Sequence, residues 1–373
     1  MNAKVSIIKC KEYNPQEVFD AVHNALKLIG GIENFVKKGQ KVLLKPNMLS
    51  AKKPKKGITT HPLILEAMVR EVRNAGGEVW IGDSPSGAIK GVKRCWINTG
   101  FMDVSTKMNV KLINFETGGT EVRKINGEEF HYAESAFKAD VVINLPKFKT
   151  HGFTLYTGCI KNMFGTLPGL QKAFIHKRYP HPDSFSKKLV DIYELIIPSL
   201  HLMDGILGME GEGPATGGKR KTGLILASAD GVALDTVASH IMGFGKDEVD
   251  MIRIAGERNL GENNLDKIKI VGSKIEDVKF DDFKLPSNRL IKIVPEFLMK
   301  LIGKLIWVKP TANKELCTSC GQCVRSCPVQ AITMVDTYPE IDYDICINCL
   351  CCNESCPEGA IEQKLSWLAS KIS

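Results

Sequence analysis

Short apolar runs and stretches of helical apolar spacing alternate along residues 1–280. The apolar runs predict strands at Val5–Ile8, Lys41–Leu44, Glu78–Ile81, Lys111–Asn114, Asp140–Asn144, His201–Met203, Leu224–Ala227 and Lys267–Val271. Helical spacing predicts helices at Pro15–Ile29, from Pro62 to Gly76-Gly77, and at Ser184–Ile197, Gly231–Met242 and Val249–Arg258. Thr60 is the predicted cap of the second helix, since Pro62 suits a first helical turn. This alternation predicts an α/β domain with a mostly parallel sheet and helices on both faces.

Residues 281–310 are predicted to be a connector that contains an unusually apolar helix. After Pro295, polar side chains recur at every fourth position as Glu296, Lys300 and Lys304, and nearly everything else up to Val308 is apolar. A helix of this kind must be covered. We expect 296–308 to pack between domains. The alternative is a helix that lies on a membrane surface or docks a partner, because lysines beside Trp and Phe suit an interface.

A cysteine motif occurs twice near the end of the chain, with every matched position offset by 29 residues. The two copies are Cys317-x-x-Cys320-x-x-Cys323-x-x-x-Cys327-Pro328 and Cys346-x-x-Cys349-x-x-Cys352-x-x-x-Cys356-Pro357. In such a repeat the first three cysteines hold one iron–sulfur cluster and the fourth is directed to the other cluster. The spacing therefore predicts two 4Fe-4S clusters, one held by Cys317, Cys320, Cys323 and Cys356, the other by Cys327, Cys346, Cys349 and Cys352. A pair of zinc sites is the alternative. A zinc site needs only four ligands, however, and has no use for three cysteines followed by Cys-Pro, repeated twice.

This repeat resembles the bacterial-type two-cluster ferredoxins over residues 311–363, which leaves 364–373 as a tail. Cys351 has no counterpart in the pattern, because its repeat-mate is Gln322. We interpret Cys351 as a buried spare thiol, with a ligand swap or redox sensing as alternatives. The N-terminus has no secretory signal pattern and no uncharged apolar stretch of about 18 residues occurs, so a cytoplasmic protein with reduced thiols is expected.

Charge divides unevenly between the two parts of the chain. The protein carries 50 basic and 42 acidic side chains, a net charge of +8. Residues 311–373 hold four basic and eight acidic side chains, or −4, which leaves +12 on residues 1–310. A basic body favours an anionic substrate or an acidic partner. Nucleic acid is not expected, because the lysine run at 52–56 has no interleaved aromatic residues.

Polar residues follow one predicted strand after another. Ligands of open α/β sheets bind beyond the carboxyl ends of the strands, so these residues are expected at one edge. The candidates with a catalytic role are Lys147, Lys149, His151 and Asp204, and those that would hold a substrate or cofactor are Lys45, Asn47, Asp83, Lys161, Asn162 and Asp230. Ordinary turn chemistry is the alternative for each residue taken singly.

Glycines crowd residues 205–218, where Gly213 to Lys219 fit the spacing G-x-x-x-x-G-K. Arg220 stands where a phosphate-binding loop has Ser or Thr, and a strand follows instead of a helix, so such a loop is not predicted. We expect Gly205–Gly218 to be a mobile loop near the site. His176 with His181, and His61 with His151, are candidates for metal binding. A surface or hydrogen-bonding role is expected for the first pair, whereas His151 is the exception, because it lies beside Lys147 and Lys149.

The same segments resemble the family catalogued as domain of unknown function 362, which is often fused to a ferredoxin module. The resemblance covers most of residues 1–270 and rests on Lys45-Pro46-Asn47, Pro146 to His151, Thr157, Lys161-Asn162, Phe164-Gly165, Asp204-Gly205, Glu210-Gly211-x-Gly213-Pro214 and Asp230 to Asp235. It implies an iron–sulfur protein and supplies no substrate.

Three functions are compatible with this sequence. The leading hypothesis is a ferredoxin-wired oxidoreductase that takes low-potential electrons from a redox partner protein and passes them to a small anionic substrate. Lys45, Lys147, Lys149 and Lys161 would neutralise that substrate, and His151 or Asp204 would supply a proton. The alternatives are a non-enzymatic electron-transfer or cluster-delivery subunit, and a non-redox isomerase or transferase that uses its clusters structurally. The sequence leaves any flavin open.

Overall fold

The computed structural model describes residues 3–85, 92–288, 292, 308–327, 329–348 and 350–366. Its strands are β1 Lys4–Lys9, β2 Lys41–Pro46, β3 Glu78–Asp83, β4 Lys111–Asn114, β5 Thr120–Ile125, β6 Glu128–Ala133, β7 Val141–Leu145, β8 Lys147–His151, β9 Leu155–Tyr156, β10 Leu200–Glu210, β11 Gly218–Ser228, β12 Lys269–Gly272, β13 Val308–Ala312, β14 Ile332–Val335, β15 Tyr338–Ile341 and β16 Ile361–Leu365. Its helices are α1 Pro15–Leu28, α2 Pro62–Asn74, α3 Val92–Thr99, α4 Phe101–Met108, α5 Ser135–Lys138, α6 Cys159–Asn162, α7 Gln171–Arg178, α8 Pro182–Leu195, α9 Gly231–Met242, α10 Asp250–Glu257, α11 Gln322–Ser326 and α12 Cys351–Ser355.

The central sheet has the strand order β12-β1-β11-β10-β7-β2-β3-β4, and β8 joins it beside β10. Strand β11 runs antiparallel to both of its neighbours. The other neighbouring pairs along this order are parallel. The predicted α/β fold with mainly parallel strands is therefore confirmed, with β11 as the exception.

Each face of the sheet is covered by helices over its own hydrophobic core. On β2, Leu43 points into the core that α8, α9 and α10 cover. Val42 and Leu44 point to the opposite core, under α1, α2 and α4. This alternation follows from the two-residue period of a strand. Because both faces are buried, the polar groups of the body are placed at the strand ends.

The capping residue of α2 differs from the prediction. His61, not Thr60, is the residue before the first helical turn, and its Nδ1 accepts a hydrogen bond of 3.2 Å from the Leu63 amide. The Thr60 hydroxyl instead donates to the Leu145 carbonyl and accepts from the Asn47 amide. It thereby connects the end of β7 to the residue that follows β2. Pro62 fixes the first turn as expected.

The predicted mobile loop at Gly205–Gly218 is largely wrong. Strands β10 and β11 continue to Glu210 and from Gly218, so they form one long antiparallel hairpin. Only residues 211–217 form the turn. The glycines concealed the strands because they weaken strand propensity while they permit close backbone approach, as at Gly205, which packs against the Leu224 carbonyl.

The C-terminal module has a separate small core. It contains two antiparallel pairs, β13–β16 and β14–β15, and α11 contacts β14 while α12 contacts β16. Residues 296–307 of the predicted apolar helix lie outside the described residues, and Val308 begins β13. Within the described ranges, no helix has the length and apolar character needed to cross a membrane.

Candidate functional site

A cavity of about 60 Å³ lies where the ends of β2, β3 and β8 meet α7 and the segment 157–165. One water needs about 10–15 Å³ of such space, so the cavity offers about four to six water-sized positions. Seven of the predicted site residues line it, namely Lys45, Asn47, Asp83, Lys149, His151, Lys161 and Asn162. Strand ends therefore gather the polar residues as the topology predicts.

Lys45 and Asp83 form a buried ion pair in the cavity wall. Lys45 Nζ lies 2.8 Å from Asp83 Oδ1, and the two side chains are 0% and 4% exposed. The other carboxylate oxygen accepts a hydrogen bond of 2.8 Å from the Met48 amide. Burial lowers the pKa of Lys45, while the Asp83 charge opposes this shift. The pair fixes the ends of β2 and β3 against each other.

A chain of amide side chains connects Lys149 to the core. Lys149 Nζ donates to Asn47 Oδ1 at 2.8 Å and to the Ile58 carbonyl at 2.9 Å. Asn47 Nδ2 donates to Asn162 Oδ1, and Asn162 Nδ2 donates to Asn144 Oδ1. Each bond fixes the orientation of the next amide. The chain thereby sets the position of the Lys149 ammonium at the cavity.

Lys172 of α7 supplies a further cation to the cavity. Its Nζ donates to the Ser84 carbonyl at 3.1 Å, to the Ser84 hydroxyl and to the Leu167 carbonyl at 2.8 Å. Burial lowers the pKa of Lys172 to about 8, against the opposing charge of Glu116. It can therefore hold or release a proton near neutral pH.

Two neutral imidazoles complete the polar wall. His151 Nδ1 accepts from the Phe153 amide at 3.1 Å, so its proton is assigned to Nε2. Burial, reinforced by the Lys161 charge, keeps the pKa of His151 well below its ordinary range. His176 stacks on Phe185 with ring centroids 4.1 Å apart, and burial lowers its pKa to about 3. Both rings are uncharged at neutral pH.

Lys161 stands over aromatic rings at the cavity. Its ammonium lies 5.4 Å from the ring centroid of Phe164 and 5.6 Å from that of Phe185. These cation–π contacts hold the charge in place at the cavity wall. Together with Lys45, Lys149 and Lys172, it places four lysines around the cavity.

Lys147 and Asp204 form a second buried pair, and neither of them lines the cavity. Lys147 Nζ lies 2.7 Å from Asp204 Oδ2 and also donates to the Tyr13 hydroxyl, which donates to Asp204 Oδ1. Tyr13 stacks on His61 at 3.7 Å. Burial lowers the pKa of His61 to about 4. These contacts join the N-terminal segment to β8 and β10.

The remaining candidates have local structural roles. Asp230 Oδ1 caps α9 through a bond of 2.9 Å from the Ala233 amide, and its Oδ2 accepts from the Glu262 amide. His181 caps α8 through its Nδ1. Within the described residues, no group of three or more His, Cys, Asp or Glu side chains could hold a single metal ion.

Several residues line the cavity although the sequence did not place them in the site, above all Lys172, His176 and Cys351. Helix α7, which carries Lys172 and His176, follows no strand, so the strand-end argument could not find it. In the sequence, Cys351 is the cysteine of the second motif copy that has no counterpart in the first copy. Nothing in the spacing indicated that it reaches the other domain.

The cysteines of the two motifs converge on the core of the C-terminal module. Cys323, Cys352 and Cys356 are buried there, and Cys317 and Cys327 pack against them, so ligands of both copies share one interior. The Ala331 amide donates to Cys327 Sγ at 3.2 Å, and the Ala360 amide donates to Cys356 Sγ at 3.1 Å. Such N–H···S bonds suit thiolates that hold iron–sulfur clusters. The predicted ligand Cys349 lies outside the described residues.

The repeat is also visible in the packing of the module. Ser326 and Ser355, which are separated by the same 29 residues, hydrogen-bond to each other through their hydroxyls at 2.7 Å. The two motif copies therefore pack as related halves. This arrangement fits the predicted sharing of ligands between the copies.

Comparisons with known proteins agree with both parts of the chain. Residues 42–240 match the family described as domain of unknown function 362, and residues 316–360 match a 4Fe-4S dicluster domain. A thylakoid-associated protein of Synechocystis sp. is 33% identical over 290 residues, which are 77% of this chain and 89% of that protein.

Similarity to solved structures is weaker. The lactate racemase apoprotein of Thermoanaerobacterium thermosaccharolyticum matches with a TM-score of 0.43 and 9% identity, over 64% of this chain and 57% of that one. A TM-score of this size does not establish a shared fold. The family match and the cyanobacterial relative are decisive: the chain belongs to the family of domain of unknown function 362 and is an iron–sulfur protein with a C-terminal 4Fe-4S dicluster domain.

Proposed function

We propose that the protein is a ferredoxin-wired oxidoreductase that passes low-potential electrons to a small anion bound in the lysine-lined cavity. The observation that carries this proposal is a cavity with four lysines and, among its described lining residues, one carboxylate, with Cys351 of the cluster-binding module in its wall. The carboxylate, Asp83, is already paired with Lys45. The excess positive charge favours an anion.

Iron–sulfur clusters supply one-electron chemistry at low potential when bound to the module. In the proposed reaction, a reduced redox partner protein gives up two electrons one at a time and is oxidised. The anion takes up these two electrons with two protons and is reduced. Two 4Fe-4S clusters would hold both electrons together, which a two-electron reduction requires.

The residues of the cavity have two proposed roles. Some neutralise the charge of the anion, and others supply protons to it. Lys149 and Lys161 hold the anion, one through a fixed amide chain and the other over aromatic rings. His151 donates a hydrogen bond from Nε2 while its ring stays neutral. Lys172, with its pKa lowered to about 8, would supply a proton near neutral pH when one of its N–H groups exchanges the Leu167 carbonyl for the anion.

The small molecules that purify with the protein test the proposed substrate class. Holoprotein isolated without oxygen should release a small anion on denaturation, which mass spectrometry identifies. The variant Lys149→Met should release at least tenfold less, whereas Lys124→Met, at an exposed ion pair, should release as much as the wild type. Equal release from all three proteins would contradict an anion site at Lys149.

The alternative is an electron-transfer or cluster-delivery subunit that docks a partner protein. The acidic module supports it, because a charge of −4 beside a basic body suits electrostatic docking. Because the Synechocystis relative is named as thylakoid-associated, contact of residues 296–308 with a membrane surface is also a candidate role. We propose a cytoplasmic location, where thiols stay reduced. A stoichiometric partner in pull-downs, with no anion in the cavity, would favour this alternative.

A further inference from the structure

The cluster-binding module closes one side of the cavity. Cys351, the first residue of α12, lines the cavity beside residues of the α/β domain such as Leu49 and Lys172, and is only 3% exposed. The first motif copy has Gln322 at the matched position, so the cluster-ligand pattern does not require a cysteine here. A residue outside that pattern is thus part of the wall of a site in the other domain.

One short helix connects this wall to ligands of both clusters. Cys352 follows Cys351 directly, and Cys356 follows within about one and a half helical turns. By their motif positions, Cys352 and Cys356 serve different clusters. Beside this helix, Lys52 of the α/β domain is 4% exposed and interacts electrostatically with Cys356 and Cys320. The cavity wall is therefore one residue along the chain from a ligand of one cluster and five residues from a ligand of the other.

The Thr157 hydroxyl indicates that the cavity takes a ligand. Thr157 is 4% exposed and lines the cavity, and its Oγ1 has no hydrogen-bond partner among the described residues. A buried hydroxyl without a partner costs free energy, which a bound acceptor would recover. Lys149, Lys161 and Lys172 supply positive charge to the same space. Hydroxyl and ammonium donors around a small volume fit an oxyanion of the size of phosphate or a two-carbon carboxylate.

We infer that the cavity binds a small oxyanion and that the module, which meets the cavity at Cys351, makes this binding sensitive to the electrons it carries, so that the oxidised protein binds the oxyanion more tightly. The inference rests on the proposed function, because it concerns the same cavity. Each electron adds a negative charge, which repels an anion strongly where water is excluded. By linkage, the bound oxyanion must lower the reduction potential of the module by the amount that corresponds to its weaker binding to the reduced protein.

Calorimetry on anaerobic holoprotein tests the coupling, with inorganic phosphate and oxalate as the probes. Photochemical reduction with an amine as the electron donor avoids adding another oxyanion. We expect about tenfold weaker binding for each electron added, which corresponds to a midpoint potential lower by about 59 mV for each one-electron couple at saturating probe. Cys351→Phe should fill the cavity and abolish binding, whereas Cys351→Ala should retain it. Val335→Phe, at an exposed position of the same module, is the matched control and should bind like the wild type.

The outcomes separate the inference from the proposed function. Equal affinity in both redox states would overturn the coupling and leave the anion site intact. Wild-type affinity in Cys351→Phe would overturn the role of the module in the wall. Failure of both probes to bind in either state would contradict the oxyanion site itself, and with it the substrate class of the proposed function.

Alkylation of the wild type keeps the inference testable should Cys351→Phe fail to fold. Phosphate should slow the labelling of Cys351 by iodoacetamide at least threefold, followed by peptide mass spectrometry. Cys10 and Cys95, which are 0% and 5% exposed and do not line the cavity, are the controls, and phosphate should leave their slow labelling unchanged. An unchanged labelling rate at Cys351 would overturn its place in the wall.

Discussion

Lys45 Nζ and Asp83 Oδ1 lie 2.8 Å apart in the interior, and Gly165 packs directly against both groups. A Cβ atom at position 165 would meet the Asp83 carboxylate and lie 2.7 Å from Lys45 Nζ. The glycine is therefore explained by the pair: it gives the backbone of the segment 157–165 room to approach the ends of β2 and β3.

Gly165→Ala should break this pair. Separating a buried ion pair leaves a charge without compensation, so we expect the free energy of unfolding to fall by about 3 kcal/mol or more. Urea denaturation measures the change. Gly218→Ala is the control, because its Cβ would meet nothing closer than Glu210 Cγ at 3.6 Å, and it should alter stability by less than about 0.5 kcal/mol. Equal effects of the two substitutions would contradict the explanation.

Asp204→Asn should destabilise the fold without weakening oxyanion binding. The substitution leaves Lys147 buried without its carboxylate, which should cost roughly 3 kcal/mol. Asp282→Asn removes an exposed partner of Arg220 and should leave the stability nearly unchanged. Unfolding curves and phosphate calorimetry measure the two properties separately. Loss of phosphate affinity in folded Asp204→Asn would instead support the catalytic role that the sequence suggested for Asp204.

His201 should make the protein less stable in acid. Burial lowers the pKa of His201 to about 3, and the neutral ring meets Asn144 Nδ2 at 3.1 Å. Between pH 3 and about 6.5 the unfolded chain therefore binds a proton that the folded chain does not, so stability falls as the pH falls through this range. His201→Gln should reduce the slope of unfolding free energy against pH by about 1.4 kcal/mol per unit between pH 4.5 and 6. An unchanged slope would show that His201 does not titrate in this way.

Lys45, Lys149 and His151 could be predicted from the sequence, because parallel strands deliver their last residues to one edge. Lys147 could not be distinguished from Lys149 in this way, since the two are only two residues apart on β8. Strand β8 pairs with Asp204 and then with Met209 of β10, so the register shifts between them. Lys147 therefore meets Asp204 while Lys149 meets Asn47. Such an irregularity depends on tertiary packing and leaves no periodic signal in the sequence.

Iron analysis should distinguish cluster ligands from the other thiols. We expect about eight irons and eight sulfides in anaerobic holoprotein, as two 4Fe-4S clusters require. Cys356→Ala should lose about half of the iron and the EPR signal of one cluster. Cys351→Ala should keep all of the iron and the EPR signals of both clusters, because Cys351 lines the cavity. Loss of iron from Cys351→Ala would assign Cys351 as a ligand and contradict the assignment made from the repeat.

Reoxidation of the photochemically reduced holoprotein by small anions tests the proposed function most directly. The visible absorbance of the clusters is followed in a stopped-flow instrument while the anion released from the purified protein, or pools of small anionic metabolites, are added without oxygen. We predict that a small anion accelerates reoxidation, that the anion is recovered in reduced form, and that Lys149→Met slows the reaction at least tenfold. If no anion accelerates reoxidation, or if Lys149→Met reacts as fast as the wild type, the clusters do not pass electrons to a substrate in this cavity.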